Sequence, residues 1–178
     1  SGYAGEMGHV HCYDNDIICH CGKTGCMETE TSGAALLRKV MQRLRNGQVS
    51  ILSNTPENEL SLQAILDAIQ REDILCIDAL QEVATELRRN LAGIINIFNP
   101  EMLVIGGELS TTGDYLLRPI QMGIKKYSLN KVSEDSIIAL STLSNQAGLV
   151  GACLTARSHY LHIDDYESPH TQRFTHKT

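Results

Sequence analysis

The sequence predicts an α/β fold, and three observations support this class. Apolar residues recur at helical spacing in three stretches, 31–46, 61–71 and 73–99. A short continuous apolar run, EMLVIGG at 101–107, follows and is typical of a buried strand that ends in a tight turn. A further helical pattern and a further strand-like segment come after it, so helices and strands are mixed along the chain.

Each of the first two helices is predicted by one apolar face, and the first also by suitable end residues. Thr31 or Ser32 can cap the first helix, and Gly47 can end it. Its apolar positions are Leu36, Leu37, Val40, Met41 and Leu44. The second helix, 61–71, has an apolar side made of Leu62, Ile65, Leu66 and Ile69. The segment 48–59 between them is predicted to be a loop.

The third helix, 73–99, is the longest and carries an apolar stripe in alternating steps of three and four residues. The stripe consists of Ile77, Leu80, Ala84, Leu87, Leu91, Ile94 and Phe98. Ile95 and Ile97 add a second apolar face, so the end of this helix is expected to be buried on two sides. Coiled coils carry such stripes, but a single helix of this kind is more often core, and a core position is predicted. Asn99-Pro100 ends the helix.

The remaining elements are predicted to be a strand at 101–107, a helix at 114–127, an edge strand at 135–143 and a helix at 146–161. The last helix contains four small residues, which favour close contact with another helix: Ala147, Gly148, Gly151 and Ala152. Residues 164–178 are polar and without periodicity, so a disordered tail is predicted there. Its histidines, His170 and His176, are not expected to be ligands. The folded portion is therefore expected to span 1–163.

Composition and charge narrow the possible functions. The chain has 178 residues and a net charge of −6, so a general affinity for nucleic acid is not expected. No apolar run approaches the length of a membrane span, and no secretory signal is visible. With no tryptophan, six tyrosines and two phenylalanines, an aromatic sugar platform or a base-stacking surface is not predicted.

Three of the six cysteines lie close together, in the stretch CHCGKTGCME at 19–28. A disulfide framework suits small secreted chains, whereas this chain is long enough to build its own core. A redox pair would favour the spacing C-x-x-C, which does not occur. The observed spacing is C-x-C-x4-C, and Gly22 and Gly25 allow tight turns between the thiols. This pattern favours a metal knuckle.

A zinc ion would need a fourth ligand beside these three cysteines. Spacing alone leaves its identity open. The nearby candidates are His9, His11, Cys12 and His20. The side chain of His20 is expected to point away from the metal because this residue lies between two of the cysteines. Cys76 and Cys153 lie in apolar helical stretches and are predicted to be small core residues.

The longer stretch GEMGHVHCYDNDIICHCGKTGCME resembles the signature of the ROK family, a group of bacterial repressors and sugar kinases. Residues 5–9 match its G-E-x-G-H block, and residues 19–28 match its C-x-C-G-x-x-G-C-x-E block. In that family the histidine and the three cysteines bind one structural zinc. The resemblance therefore implies the ligand set His9, Cys19, Cys21 and Cys26. Many members have a glycine turn before the first cysteine, where this chain has the turn formers Asp14, Asn15 and Asp16.

The resemblance also implies a sugar site beside the zinc. In the family, the residues at the positions of Glu6, His9 and Glu28 contact the sugar. Metal binding would hold both carboxylates still, and fixed acceptors are suited to sugar hydroxyls. The second ring nitrogen of His9 would remain free to meet a hydroxyl. An alternative is that Glu28 only caps the next helix, where an acid is favourable in any case.

The segment NPEMLVIGGELS resembles the family's adenosine-side motif, in which two glycines let the backbone approach a nucleotide. The corresponding residues are Gly106 and Gly107, which would bind nucleotide only in a kinase. Kinases often have a small or apolar residue at the next position. This chain has Glu108 there, and an acid near nucleotide phosphates is unfavourable.

The resemblance implies the second lobe of a two-lobed, actin-like (ribonuclease H-like) fold. It covers residues 1–163, the C-terminal portion of a ROK domain, and the sequence is expected to be the second half of a longer protein. The phosphate loop D-x-G-G-T is absent, and no aspartate occupies the position of the catalytic base. No catalytic residue is therefore predicted in this chain.

Two main functions are consistent with these features. One is the effector-sensing, dimerising part of a sugar-responsive repressor, favoured because METETS resembles the L-E-T-x-x-S of the N-acetylglucosamine and xylose repressors. Such a regulator implies a sugar or sugar-phosphate effector, a dimer or tetramer, a cytoplasmic location without membrane contact, and operator DNA bound by a winged helix-turn-helix outside this chain. The other is half of a sugar kinase that uses ATP and Mg²⁺ on a hexose such as glucose, fructose or an N-acetylhexosamine. A zinc module without sugar is disfavoured because only Lys23 is basic near the knuckle.

Overall fold

A computed structural model of the chain describes residues 4–127 and 136–161. The chain divides into two compact units, residues 1–144 and 145–178. The helices are α1 (Glu28–Thr31), α2 (Gly33–Arg45), α3 (Leu62–Gln70), α4 (Ile74–Phe98), α5 (Asp114–Tyr127) and α6 (Ala147–Leu161). The strands are β1 (Met102–Ile105) and β2 (Ile137–Leu140). Helices and strands are thus mixed, as predicted.

The three helices predicted first are confirmed, and a polar side chain caps each of them. Ser32 accepts a hydrogen bond from the backbone N–H of Ala35, and Ser61 accepts one from Ala64. The carboxylate of Asp73 likewise accepts from Cys76 at the start of α4. These bonds satisfy N–H groups that have no partner within the helix. The one-turn helix α1 was not predicted.

Helix α4 packs through most of its length into the core of the first unit. Leu80, Ala84 and Leu91 of the predicted stripe are buried, and Ile77, Leu87 and Ile94 pack against the core. The prediction that the end of α4 is buried on two sides is wrong for the described residues. Ile95 is fully buried, but Ile97 and Phe98 are exposed, because the described core contacts only one side of the last turn.

The two strands form a parallel pair whose register runs from Met102–Ile137 to Ile105–Leu140. The prediction that β1 is buried is only half correct. Leu103 and Ile105 pack against the core, whereas Met102 and Val104 are exposed. Successive strand residues point to opposite faces, and the described core contacts only one face of this pair.

In the second unit, the described residues form the helix α6. The helix itself confirms the sequence prediction, but Cys153 is exposed on it rather than being a core residue. Close packing through the small residues of α6 stays a prediction. The predicted tail 164–178, with His170 and His176, lies outside the described residues. Among the described helices, none is both long enough and apolar enough to cross a bilayer.

Replacing Asp73 by alanine is expected to lower the free energy of unfolding by about 3 kcal/mol. This buried carboxylate accepts hydrogen bonds from the backbone N–H groups of Cys76 (3.0 Å) and Ile51 (2.8 Å) and from the hydroxyl of Ser50 (2.9 Å). Truncation would leave all three donors without their acceptor. Urea unfolding measures the loss. Ser61→Ala, which removes an exposed cap with one bond, is the control and should cost about 1 kcal/mol.

The carboxylate of Asp73 should also make the free energy of unfolding depend on pH. Burial alone would raise the pKa of Asp73, but the donors from Ile51, Cys76 and Ser50 outweigh it and hold the pKa below its usual value of 3.8. A carboxyl group whose pKa is lowered by folding stabilises the protein above the unfolded-state pKa, and this contribution is lost as the pH falls below about 4. The Asp73→Ala variant should therefore lose less stability than the wild type on acidification. Equal acid sensitivity of the two proteins would contradict this.

Candidate functional site

A short cysteine-rich hairpin and the turn before it form the candidate site. The turn is the 3-10 helix Met7–His9. The hairpin is held by two isolated antiparallel bridges, one between His11 and Cys26 and one between Ile18 and Thr24. The backbone N–H of Cys19 donates to Lys23, and that of Met27 donates to Val10 (both 2.8 Å). These backbone bonds bring residues that are distant in sequence to one place.

Four potential metal-ligand atoms meet where this turn and the hairpin lie together. They belong to His9, Cys19, Cys21 and Cys26, and they all lie within 4.8 Å of one another. Nδ1 of His9 is 3.4 Å from Sγ of Cys19, and the sulfurs of Cys21 and Cys26 are 3.6 Å apart. Cys19 and Cys26 are buried, whereas Cys21 and His9 are exposed at the rim. This group could hold a metal ion, and it is the set that the family resemblance implied.

The other candidates for a fourth ligand lie outside this group. His11 is exposed, and its Nδ1 is 3.2 Å from the carbonyl oxygen of Thr24, to which it can donate. Cys12 and His20 are also exposed. Cys76 is fully buried in the core, as predicted. Spacing alone could not separate these histidines and cysteines, because their separation in space depends on how the hairpin turns.

A glycine pair in this hairpin gives a stringent test of its packing. Gly22 and Gly25 both have positive φ angles, +84° and +71°. A Cβ on Gly25 would lie 2.1 Å from the carbonyl oxygen of Tyr13 and 2.4 Å from Cε1 of His11, whereas a Cβ on Gly22 would meet nothing within 4 Å. Gly25 therefore fits both a backbone conformation and a space that exclude a side chain.

We expect Gly25→Ala to lower the free energy of unfolding by at least about 3 kcal/mol, because backbone strain and a clash with main-chain atoms add together. Gly22→Ala is the matched control and should cost about 1–2 kcal/mol, from the φ angle alone. Urea unfolding at saturating zinc measures both. Equal costs would show that the hairpin does not pack as described.

The two glutamates predicted beside the metal site lie on either side of His9. Oε2 of Glu6 is 3.8 Å from Nε2 of His9, and Oε2 of Glu28 is 3.9 Å from Nδ1 of the same ring. The thiol of Cys19 donates to Oε1 of Glu28 at 3.0 Å. Glu28 is the first residue of α1 and, within the described residues, makes no capping hydrogen bond there, but an acid in a first helical turn is favourable, so the interpretation of Glu28 as a helix-end residue stays an alternative. This row of acceptors is suited to hydroxyl groups.

The Gly-Gly turn lies at a separate cavity of about 260 Å³. Gly106, Gly107 and Glu108 line it on one side, and Ser32 and Gly33 from the start of α2 line it as well. Gly107 has a φ angle of +84°, which favours glycine. The contribution of α2 was not predicted, because nothing in the sequence brings residues 32–33 close to 106–108.

Comparison with known proteins decides the family. The family model described as "ROK family" matches residues 1–159. This chain belongs to the ROK family. The sequence prediction of the family is thereby confirmed.

ROK relatives of both kinds are similar to this chain. A glucokinase from Halalkalibacterium halodurans is 32% identical over 154 residues, which are 85% of this chain and 47% of that protein. A xylose repressor from Caldicellulosiruptor bescii is 30% identical over 167 residues, which are 93% of this chain and 42% of the repressor. The chain thus spans about half the length of the curated relatives it matches.

Solved structures similar to this chain likewise include both a regulator and a kinase. A ROK family transcriptional regulator, a homologue of the Escherichia coli MLC protein, has 32% identity and a TM-score of 0.75, over 87% of this chain and 39% of that one. A ROK glucokinase from Streptomyces griseus, in complex with glucose and AMPPNP, has 28% identity and a TM-score of 0.76, over 87% and 52%. The chain therefore shares the fold of ROK regulators and of actin-like sugar kinases.

Proposed function

We propose that this chain is the effector-sensing and dimerising part of a sugar-responsive ROK transcriptional regulator, the second lobe of its two-lobed fold. The observation that carries the proposal is the row formed by Glu6, His9 and Glu28 at the edge of the Cys/His group. The sugar or sugar phosphate would place hydroxyl groups against these acceptors, beside a structural zinc.

Three thiols and one imidazole are a donor set that zinc prefers, and two of the distances between these donor atoms are close to those of a tetrahedral site. A tetrahedral zinc with bonds of about 2.3 Å to sulfur and about 2.0 Å to nitrogen separates two sulfurs by about 3.8 Å, and a sulfur from a nitrogen by about 3.5 Å. The corresponding distances here are 3.6 Å and 3.4 Å. Four protein ligands leave no open position, so the ion would be structural. When bound, it would cross-link the turn that carries Glu6 to the hairpin that precedes Glu28.

Several features support a regulator. The xylose repressor and the MLC homologue are similar to this chain over most of its length. Glu108 lies at the Gly-Gly turn, where its charge would repel a nucleotide phosphate. Regulators of this kind would use a dimer or tetramer to match a two-fold operator, with DNA contacted by a winged helix-turn-helix elsewhere in the whole protein.

A sugar kinase is the second candidate, and the glucokinase relatives favour it. In that case Gly106 and Gly107 would approach the nucleotide of an ATP–Mg²⁺ substrate at the 260 Å³ cavity. Phosphoryl transfer would also need a base for the sugar hydroxyl, which the other lobe would supply.

Sugar binding to the whole protein tests the proposal. Glucose, xylose, N-acetylglucosamine and N-acetylglucosamine 6-phosphate are titrated calorimetrically, and operator release is followed by gel shift. One of these sugars should bind and release the DNA. ADP formation from ATP with any of them would favour the kinase. Binding of none, together with failure to bind DNA, would overturn the proposal.

A further inference from the structure

Helix α1 carries Glu28 but is too short to hold itself in place. It has only four residues, and a single helical turn is unstable in isolation. Two of its own side chains support it locally: Thr29 donates to the carbonyl of Cys26, and Thr31 donates to that of Met27. These bonds close the turn, but they do not fix the direction of α1 relative to the rest of the site.

Contacts from two neighbouring segments fix that direction. From α2, Arg38 donates to the carbonyl oxygen of Thr29 at 2.8 Å and lies 3.1 Å from Glu30, while Lys39 lies 2.9 Å from the same carboxylate. From the hairpin, the amide of Asn15 donates to Oε1 of Glu30 at 3.1 Å and to the hydroxyl of Thr29 at 3.3 Å. The carboxylate of Glu30 is therefore held from both sides, and its side chain is only 16% exposed.

Asn15 is the hairpin side chain in this arrangement. Its carbonyl oxygen accepts from the backbone N–H of Ile17 at 3.3 Å, as expected of a turn former. Its two amide donations, to Thr29 and Glu30, are a separate function that a turn former does not need. They connect the segment before Cys19 directly to the helix that begins with Glu28.

We propose that the Asn15 amide is a positioning residue for sugar recognition, which acts by fixing α1 and hence the carboxylate of Glu28. This inference rests on the proposed sugar-binding function. An acceptor that is already in place before the sugar arrives does not have to be ordered on binding, so affinity is higher. Asn15 itself need not touch the sugar.

Aspartate at this position separates the two functions of Asn15. Aspartate forms turns as readily as asparagine and still offers an oxygen to Ile17. It has no amide donor, however, and its charge would face the carboxylate of Glu30. Asn15→Asp is therefore expected to keep the turn and to loosen α1.

Three measurements on the Asn15→Asp variant test the proposal. Zinc content should stay at about one per chain, because Asn15 is not in the ligand group. Amide hydrogen exchange in residues 27–33 should become faster. In the whole protein, the dissociation constant for the sugar that binds best among glucose, xylose and N-acetylglucosamine should rise about tenfold. Asn58→Asp, the same change in the exposed part of the 48–59 loop, is the control and should leave all three unchanged.

A double variant that swaps the hydrogen-bond donor and acceptor between residues 15 and 30 gives the most direct test. The double variant Asn15→Asp, Glu30→Gln keeps the net charge and restores a hydrogen bond between these two side chains in the opposite direction. Glu30→Gln also removes the ion pairs with Arg38 and Lys39, so the single variant Glu30→Gln is the reference for the double variant. In the Glu30→Gln background, Asn15→Asp should change neither hydrogen exchange in 27–33 nor sugar affinity by more than about twofold. An equal effect of Asn15→Asp in both backgrounds would overturn the proposal.

Other outcomes separate this inference from the proposed function. If Asn15→Asp leaves affinity within twofold while Glu28→Ala weakens it, Asn15 does not position the site and the sugar-binding function stands. If neither variant alters affinity, the sugar site itself is misplaced. Loss of zinc from Asn15→Asp would show that Asn15 acts through the metal group, which also overturns the proposal.

Discussion

Replacing Cys21 by serine is expected to abolish stoichiometric zinc binding and to lower the melting temperature by roughly 10 °C. Binding energy at a structural zinc site is folding energy, and three remaining ligands would hold the ion far more weakly. The turn Met7–His9 would then lose its cross-link to the hairpin. Metal analysis of the purified chain measures zinc, and calorimetry measures the melting temperature.

Cys12→Ser is the matched control for this experiment. Cys12 is also an exposed cysteine of the hairpin, but it lies outside the ligand group. Its replacement should leave about one zinc per chain and an unchanged melting temperature. A Cys21→Ser variant that retained full zinc and full stability would rule out the four-ligand site.

Replacing Glu28 by alanine in the whole protein is expected to weaken sugar binding by about 2 kcal/mol, or roughly 30-fold. A fixed carboxylate that accepts from two hydroxyls contributes charge-assisted hydrogen bonds, and truncation leaves those hydroxyls without an acceptor. In a regulator, this variant should remain on its operator at sugar concentrations that release the wild type. Titration calorimetry gives the affinity, and a gel shift with increasing sugar gives the DNA response.

The control for Glu28→Ala is Glu59→Ala, which removes an exposed glutamate of the short 3-10 helix Glu57–Glu59 between α2 and α3. It should change neither affinity nor DNA release. Zinc content should be normal in both variants, because neither glutamate belongs to the ligand group. Normal induction of the Glu28→Ala regulator would show that this carboxylate has no part in sugar recognition.

Much of the local structure was predictable because it depends on near neighbours in sequence. Ser32, Ser61 and Asp73 cap the helices that follow them, and each cap bond reaches only three residues along the chain. The apolar stripe of α4 follows from helical periodicity in the same way. Helix α1 was not predicted, because a helix of four residues is too short to show a periodic pattern of apolar residues.

The sequence also predicted the composition of the candidate site, because the family signature is a contiguous stretch. Its block spacing singled out His9 and the three cysteines, and Glu6 and Glu28 came with them. The structure then placed the four ligand atoms within 4.8 Å of one another. It also placed both glutamates beside the ring of His9.

What the sequence by itself determined is therefore the family, the longer helices, and the residues of the candidate metal and sugar site. Only the tertiary structure decided which side of the last turn of α4 is exposed, and how Asn15 and α2 hold the helix that carries Glu28. The physical reason is the range of the interactions. Caps and periodicity act over a few residues, whereas burial and side-chain contacts between Asn15, Glu30 and Lys39 depend on how distant segments pack.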